Sequence, residues 1–483
     1  MLFNSYFFIL MFLPLTIIGY FLISRKSSFA GNLYLLGMSL WFYGFSNPSY
    51  LLIIAGSIAV NYFFSKLLCK PEITHRKVFL TVAIFFNIGL IFYFKYYDFF
   101  LANMNTLLQT DFVLKNIMLP LGISFFTFQQ LSYVIDSYYG KTKDYGFVEY
   151  ALFVTFFPKL LAGPIASHEE LIPQFRDPSK HRLQYENMTR GMMLFTVGLF
   201  KKVMVADTFG KGVSWGYSNI TGMTSLDTMI IMFAYTFQIY FDFSGYSDMA
   251  TGLASMMNFT LPMNFDSPYK ALSVPDFWRR WHLTLTRFLR TYIYFPLGGS
   301  RKGKFRTYVN IMIVFLVSGI WHGANWTFIL WGLLHGVANC IGRFIQKPFG
   351  KLWKGLQWLI TFLFVSFAWL LFRSDSVSQW IYLLQKIFSF DRMNVSEDLA
   401  RLFRIPHMRY SLELLHIPYT DNGVFMVSMG ILFGGVLAIS LLCENSYRRK
   451  YSCTVKSLII TIVMLMACLV SLSSVSVFLY FNF

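Results

Sequence analysis

Two histidines stand where an ionisable side chain is expensive. His282 closes Asp276-Phe-Trp-Arg-Arg-Trp-His282, and His322 lies in Ser318-Gly-Ile-Trp-His322-Gly-Ala-Asn325-Trp, deep in an apolar segment. A charged side chain at membrane depth costs about 2.5–3.5 kcal/mol on insertion scales. Imidazole escapes most of that by staying neutral, and a neutral imidazole in an apolar setting is what a general base needs. Asn325 is spaced to reach the His322 ring and hold its tautomer if the helix continues that far. Trp321 and Trp326 would then wall the site. The blander reading is a neutral histidine joining two helices, since Gly319 and Gly323 have the small-x-x-x-small spacing of close helix approach. His335 projects to a different side and reads as packing or hydrogen-bonded glue.

The element that must carry His282 is a helix over Trp278–Phe295, with Ser273 as cap and Pro275 in its first turn. At about 100° per residue, Arg279, Arg280, Asp276, Arg287 and Arg290 share one side of it. Trp278, Trp281, Leu285, Phe288, Leu289 and Tyr292 take the other, with His282 beside Trp278, Leu285 and Leu289 and pointing into the protein. That is an interfacial amphipathic helix. In one reading its arginines snorkel to lipid phosphates while the tryptophans sit at headgroup level. In the other, some of those arginines, Arg279 and Arg280 among them, hold the phosphates of a cytosolic coenzyme A thioester. The two are compatible.

A third polar cluster, Phe241-Asp242-Phe-Ser244-Gly-Tyr246-Ser-Asp248, puts two carboxylates beside an apolar span, where each demands a partner or water. Bracing between helices is the default, contact with a substrate the alternative. A Gly-rich phosphate loop, H-E-x-x-H and G-x-S-x-G are all missing, and no metal-ligand spacing is visible.

With 56% hydrophobic and 13% charged residues over 483 positions, the chain has little surface for water. It reads as an all-α polytopic membrane protein. The net charge of +18 resides in short loops between apolar runs, the positive-inside pattern, so no nucleic-acid partner is needed to explain it. Met1 to Ile23 lacks a basic n-region and reads as an uncleaved first span with its N-terminus outside. Cys69, Cys340, Cys443, Cys453 and Cys468 form no disulfide frame.

Apolar spans follow at Phe3–Ile23, Leu33–Phe45, Leu51–Leu68 and Val78–Phe94, leaving Phe99–Asn116 outside. A broken run over Ile117–Tyr139 reaches Lys141 and Lys143 on the inner side, and Phe147–Ala162 reads as re-entrant. Ser167–Asn187 is an inner-side segment. Gly191–Val205 and Met229–Phe243 look like further spans, with Lys201 and Lys202 uncomfortable unless they line a wet cavity. Later spans are Tyr308–Ile320, Phe328–Ile341, Gln357–Phe372, Val424–Leu442 and Leu458–Leu479, the last ending outside. Residues 373–422 form an outer-face excursion with short amphipathic helices. At roughly 20 residues per full span, this amounts to about 11–13 membrane-embedded helices. They divide one membrane domain, 1–483, into N-terminal helices (1–116), a catalytic core (117–345) and C-terminal helices (346–483).

Several blocks, in order, resemble the membrane-bound O-acyltransferase family. They are Phe156-Phe-Pro-Lys-Leu-Leu-Ala-Gly-Pro164, Gly198-Leu-Phe-Lys-Lys202, Tyr240-Phe-Asp-Phe-Ser-Gly-Tyr-Ser-Asp248, Pro275-Asp-Phe-Trp-Arg-Arg-Trp-His282, Tyr294-Phe-Pro-Leu-Gly-Gly-Ser-Arg301 and Ser318-Gly-Ile-Trp-His322-Gly-Ala-Asn-Trp326. The resemblance is strong from about Gly122 to Gly342 and narrows to the bacterial alginate O-acetylation branch. It implies a wall of helices around a central funnel or tunnel, with His322 as catalytic histidine and His282 as second histidine of the site. It implies an acyl group, usually acetyl, carried from a cytosolic donor such as acetyl-CoA toward a cell-envelope polysaccharide across the bacterial cytoplasmic membrane. No tightly bound cofactor is expected, and the partner is an extracytoplasmic SGNH-type acetyltransferase. The donor and acceptor would meet Asn325, Trp278, Arg279, Arg280, Trp281, Trp321, Asp242 and Asp248. Rival readings are D-alanyl transfer to teichoic acid, a non-catalytic lipid or polysaccharide transporter, and a scaffold for the outer enzyme.

Overall fold

A computed structural model describes residues 1–142, 144–405, 408–451, 454–472 and 476–479. Lys143 and Cys453 lie outside these. Among the described residues every regular element is helical, and buried apolar side chains from Met1 to Phe478 form one contiguous core. In lipid a helix satisfies its own backbone polar groups, which an open strand cannot do. Among the described residues five helices are long and apolar enough to cross a membrane: Ser49–Leu68, Arg76–Leu108, Gly303–His322, Lys354–Arg373 and Asp421–Leu442. Phe8–Ser24 and Val455–Ser471 are shorter apolar helices. The residues around Lys354–Arg373 pack it most deeply, whereas Arg76–Leu108 presents most of its surface outward.

Two expected boundaries move. Val78–Phe94 does not end near Phe94: the helix passes through a π-helical turn at Phe92–Tyr96 and continues to Leu108, so 99–108 is helix rather than a separate outer loop. Likewise Tyr185–Phe200 continues through a π-helical turn, Lys201–Ala206, into Asp207–Ser218. A π-turn inserts one residue into the helical ladder and re-aims the side chains that follow; such turns occur often at functional sites. Both turns carry lysine. The re-entrant expectation over Phe147–Ala162 corresponds to a helix, Phe147–Thr155, a break at Phe156 and a short turn, Phe157–Leu160, all buried except near its start.

Lys201 and Lys202 both find carboxylates, and Lys201 also lines a small polar pocket with Asp248 and Asn264. Lys201 Nζ lies 2.6 Å from Asp248 Oδ2, and Lys202 Nζ lies 2.8 Å from both Asp242 Oδ1 and Asp207 Oδ1. The Asp242 and Asp248 pairs join the Lys201–Ala206 turn to the largely buried, 32-residue Ser225–Met256 helix. The backbones are close enough that a Cβ on Gly198 would meet the Gly245 carbonyl at 2.5 Å. The short segment 476–479 closes the same corner: the Leu479 amide donates to Asp242 Oδ2, and Ser476 Oγ donates to Asp207 Oδ2. The excursion expected over 373–422 contains helices Val377–Ser389, Glu397–Leu402 and Met408–Leu414.

Candidate active site

His322 is the last residue of the Gly303–His322 helix, and Trp326–Phe344 returns antiparallel beside it. The two helices touch at backbone distance, because a Cβ on Gly319 would meet the Phe328 carbonyl at 2.4 Å and one on Gly332 the Phe315 carbonyl at 2.4 Å. Small residues there let the hairpin close, which is how helices pack where lipid supplies no hydrophobic drive. Gly323 leaves the helix extended (φ −171°, ψ 159°). The helix therefore ends abruptly, with its final carbonyls directed away from any returning amide. Residues of the Arg76–Leu108 helix meet them instead: Lys95 Nζ donates to the Trp321 carbonyl (2.7 Å), the His322 carbonyl (3.0 Å) and Ser124 Oγ (3.4 Å), and Tyr96 Oη to the Ile320 carbonyl.

His282 is not inside a helix. The chain is helical over Val274–Trp278, turns through residues 279–282, and resumes at Leu283–Leu289. His282 occupies the turn with a left-handed backbone (φ 45°, ψ 56°). A non-glycine residue there is strained, and such strain collects at functional sites. Its side chain is fully buried. Nδ1 lies 3.0 Å from Asn264 Oδ1, which also accepts from Thr284 Oγ1 at 2.8 Å and from the Thr284 amide. The Thr284 amide can only donate, so Asn264 Oδ1 is an acceptor and His282 carries its proton on Nδ1. The basic nitrogen is then Nε2.

The two histidine rings share one neighbour. Trp321 stands 6.1 Å from His282 and 4.9 Å from His322, centroid to centroid. Trp331 and Phe372 meet His322 edge-on at 5.1 and 5.2 Å. Trp321 Nε1 and Trp331 Nε1 are buried donors without an acceptor among the described residues. His335 receives Trp278 Nε1 on its Nδ1 at 3.2 Å and packs on Trp331 at 4.8 Å. It is thus a tie between the His282 turn and the His322 hairpin.

A polar cavity of about 270 Å³ opens beside this cluster, lined among others by Asp136, Lys141, Glu169, Glu170, Thr284, Arg287 and Phe288. Neither histidine lines it, but two of its lining residues lead by packed contacts toward the histidine cluster. Thr284 leads through Asn264 to His282, while Phe288 stacks on Phe128 at 4.2 Å and Phe128 stacks on Trp321 at 5.5 Å. Arg287 is committed to Glu170, its Nη2 lying 2.8 Å from Oε2. Burial pushes the Glu170 carboxyl up, but Arg287 and the Ser167 amide outweigh it and hold the carboxyl below its ordinary range. The Glu170 carboxylate therefore stays ionised through the neutral range.

A family model described as membrane-bound O-acyltransferase matches residues 73–375. The chain belongs to the membrane-bound O-acyltransferase family. It is 37% identical to the peptidoglycan O-acetyltransferase of Helicobacter pylori, over 100% of this chain and 98% of that one. It is 36% identical to the probable alginate O-acetylase AlgI of Pseudomonas aeruginosa, over 82% of this chain and 76% of that one. The teichoic acid D-alanyltransferase of Streptococcus thermophilus is more distant, 28% identical over 54% of this chain and 69% of its own. The protein is accordingly a multi-pass membrane O-acyltransferase.

Within this O-acyltransferase the expected site residues separate into groups. His282, His322 and Trp321 come together. Trp278 and Trp281 are buried in the protein against His335 and, at 4.8 Å, Trp369. The break at 279–282 removes the single basic face. Arg280 is held by Asp276 (3.1 Å) and the Asp266 carbonyl, whereas Arg279 is exposed and has no carboxylate partner among the described residues. Asn325 does not turn back on His322. The helix stops first, and Asn325 caps the next one, accepting from the Thr327 amide at 3.0 Å and donating to the Asp375 carbonyl at 2.9 Å. Trp326 is 56% exposed and bonds Asn103, so Trp331 and Phe372 take the wall position instead. Asp242 and Asp248 are braces bound by lysine. Sequence reasoning missed Asn264 and Lys95. Each is a polar residue inside or beside an apolar run, the same signal that picked out the histidines.

Proposed function

We propose that this enzyme passes an acetyl group from a cytosolic donor, acetyl-CoA, across the bacterial cytoplasmic membrane for O-acetylation of a cell-envelope polysaccharide. The observation that carries the reading is the pair of buried histidines packed on one tryptophan. The full-length similarity to a peptidoglycan O-acetyltransferase supports the acyl group and the acceptor class. The cavity beside Thr284 is the donor's mouth; the thioester arm advances past Phe288 and Phe128 toward Trp321. Both termini face the outside, and an SGNH-type acetyltransferase there receives the acetyl group.

His322 acts as general base. It takes the proton of an acceptor hydroxyl whose oxygen attacks the thioester carbonyl; the C–S bond then breaks and the proton passes to the departing thiolate. A positioned base of this kind contributes about 10²–10⁴-fold in rate. His282, protonated on Nδ1 by virtue of Asn264, offers Nε2 as an acceptor and orients the donor through an N–H or O–H of its carrier arm, since the thioester oxygen and sulfur only accept. The indole N–H groups of Trp321 and Trp331 are buried donors available to the developing oxyanion, where preorganised donors matter most.

The test is a strain lacking the chromosomal copy, complemented with the parent or with His322→Ala at matched membrane abundance. Base-labile acetate on the purified envelope polysaccharide should fall to the level of the empty strain. Normal acetate in His322→Ala would remove His322 from the chemistry. D-alanine ester in place of acetate would transfer the reading to teichoic acid, and export without any ester would make the protein a transporter.

A further inference from the structure

The lysine at the end of the His322 helix is the polar group nearest the site that the mechanism leaves without a task. We propose that Lys95 is a positioning residue for His322, closing the C-terminus of the Gly303–His322 helix from outside that helix and so fixing the imidazole borne by its last residue. The inference rests on the reading of His322 as the base.

A helix end leaves carbonyls without intrahelical donors, and the aligned peptide dipoles give that end a partial negative charge. Water or a returning left-handed turn ordinarily satisfies them. Here Gly323 departs extended, and no backbone amide beyond His322 returns to these carbonyls among the described residues. Lys95 and Tyr96 supply what is missing, covering three consecutive carbonyls, Ile320, Trp321 and His322. One of them belongs to His322 itself.

The ammonium has three protons. Its three acceptors are the Trp321 carbonyl at 2.7 Å, the His322 carbonyl at 3.0 Å and Ser124 Oγ at 3.4 Å. All its donors are thus engaged, which assigns it to holding the site and leaves none for a substrate oxygen. It also lies 6.0 Å from the centroid of the Trp321 ring, so the same group restrains the indole shared by both histidines. Lys95 stands in the π-turn Phe92–Tyr96. Tyr96 lies in the same turn, and both side chains reach the same neighbouring helix end.

The experiment replaces Lys95 in the full-length protein with Met, which keeps the stem and removes the donors, and with Arg, which keeps a cation. Envelope acetate is measured per membrane-inserted protein, and thermal unfolding is followed after detergent extraction. Lys95→Met should lose about 10²-fold in rate, the scale of an ångström of misplacement, and Lys95→Arg should recover at least a tenfold part of it. Tyr96→Phe, which removes one neighbouring donor, should lose several-fold. Activity of Lys95→Met within twofold of the parent overturns the proposal. So does a deficit in Lys95→Met that Lys95→Arg shares fully at parental thermal stability. If Lys95→Met yields no folded protein, parental activity in Tyr96→Phe overturns it. His322→Ala separates the two claims: inactivity there with a normal Lys95→Met discards only this inference, while activity there discards the reading beneath it.

Discussion

At the scale of the residue, the chemistry of the site depends on which nitrogen of each histidine carries the proton. For His282 the answer comes from Asn264, because its Oδ1 is already an acceptor for the Thr284 amide and hydroxyl. Asn264→Ala should therefore leave the fold in place but let the imidazole rotate and change tautomer. We expect a loss of roughly 10–100-fold in envelope acetate per enzyme, the range of a misplaced reacting group. Thr284→Val removes only the hydroxyl and should cost less than Asn264→Ala in the same assay. A result in the opposite order would mean that the threonine, which also accepts from the Ile165 amide, matters through the cavity wall instead. The left-handed backbone of His282 adds a second constraint. Strain of this kind persists only where surrounding contacts enforce it, and here Phe243 at 4.9 Å and the Asn264 bond do so.

At the scale of the element, the site is a matter of how helices end. The Gly303–His322 helix stops at the histidine, and its partner approaches so closely that Gly319 and Gly332 face each other without room for a methyl group. Gly332→Ala should push the hairpin apart. Overpacking of this kind costs about 1–3 kcal/mol, which thermal unfolding in detergent would register, and it should lower activity more than Phe→Leu changes on the lipid face. The amphipathic helix expected around Trp278–Phe295 illustrates the limit of periodicity. Residues Trp278, Leu285 and Leu289 do turn inward with His282, yet the chain reaches that arrangement through a break at 279–282 and a π-helical turn at Arg290–Tyr294. A helical wheel assumes continuity, and an interruption redistributes the arginines without altering the hydrophobic count.

At the scale of the whole molecule, buried charge ties distant parts of the chain together. Lys202 and Asp242 are each 2% exposed, and Asp207 completes the group. Removing one partner strands the others, which typically costs about 3–5 kcal/mol. Lys202→Met should thus lower the detergent-extracted unfolding temperature sharply. The double substitution Lys202→Met with Asp242→Leu should recover part of it, since apolar replacement of a whole pair is often close to neutral. Failure of the double variant to recover would point to the bond that Asp242 makes with the Leu479 amide, and so to the 476–479 segment as the part that needs the carboxylate.

What the sequence determined by itself was chemical type and order. Apolar runs, a net positive charge carried mostly between them, and two histidines within or beside apolar segments are properties of residue identity, and the cost of placing each group in lipid follows from identity alone. The motif blocks added the family. Contacts between residues far apart in the chain were decided only by the tertiary structure. Asp242 is 40 positions from Lys202, and Lys95 is 227 from His322, separations at which no local spacing rule operates. The same holds for Asn325, whose distance from His322 depended on whether the helix continued. It ended, because Gly323 takes an extended backbone and a lysine from another helix supplies the missing donors.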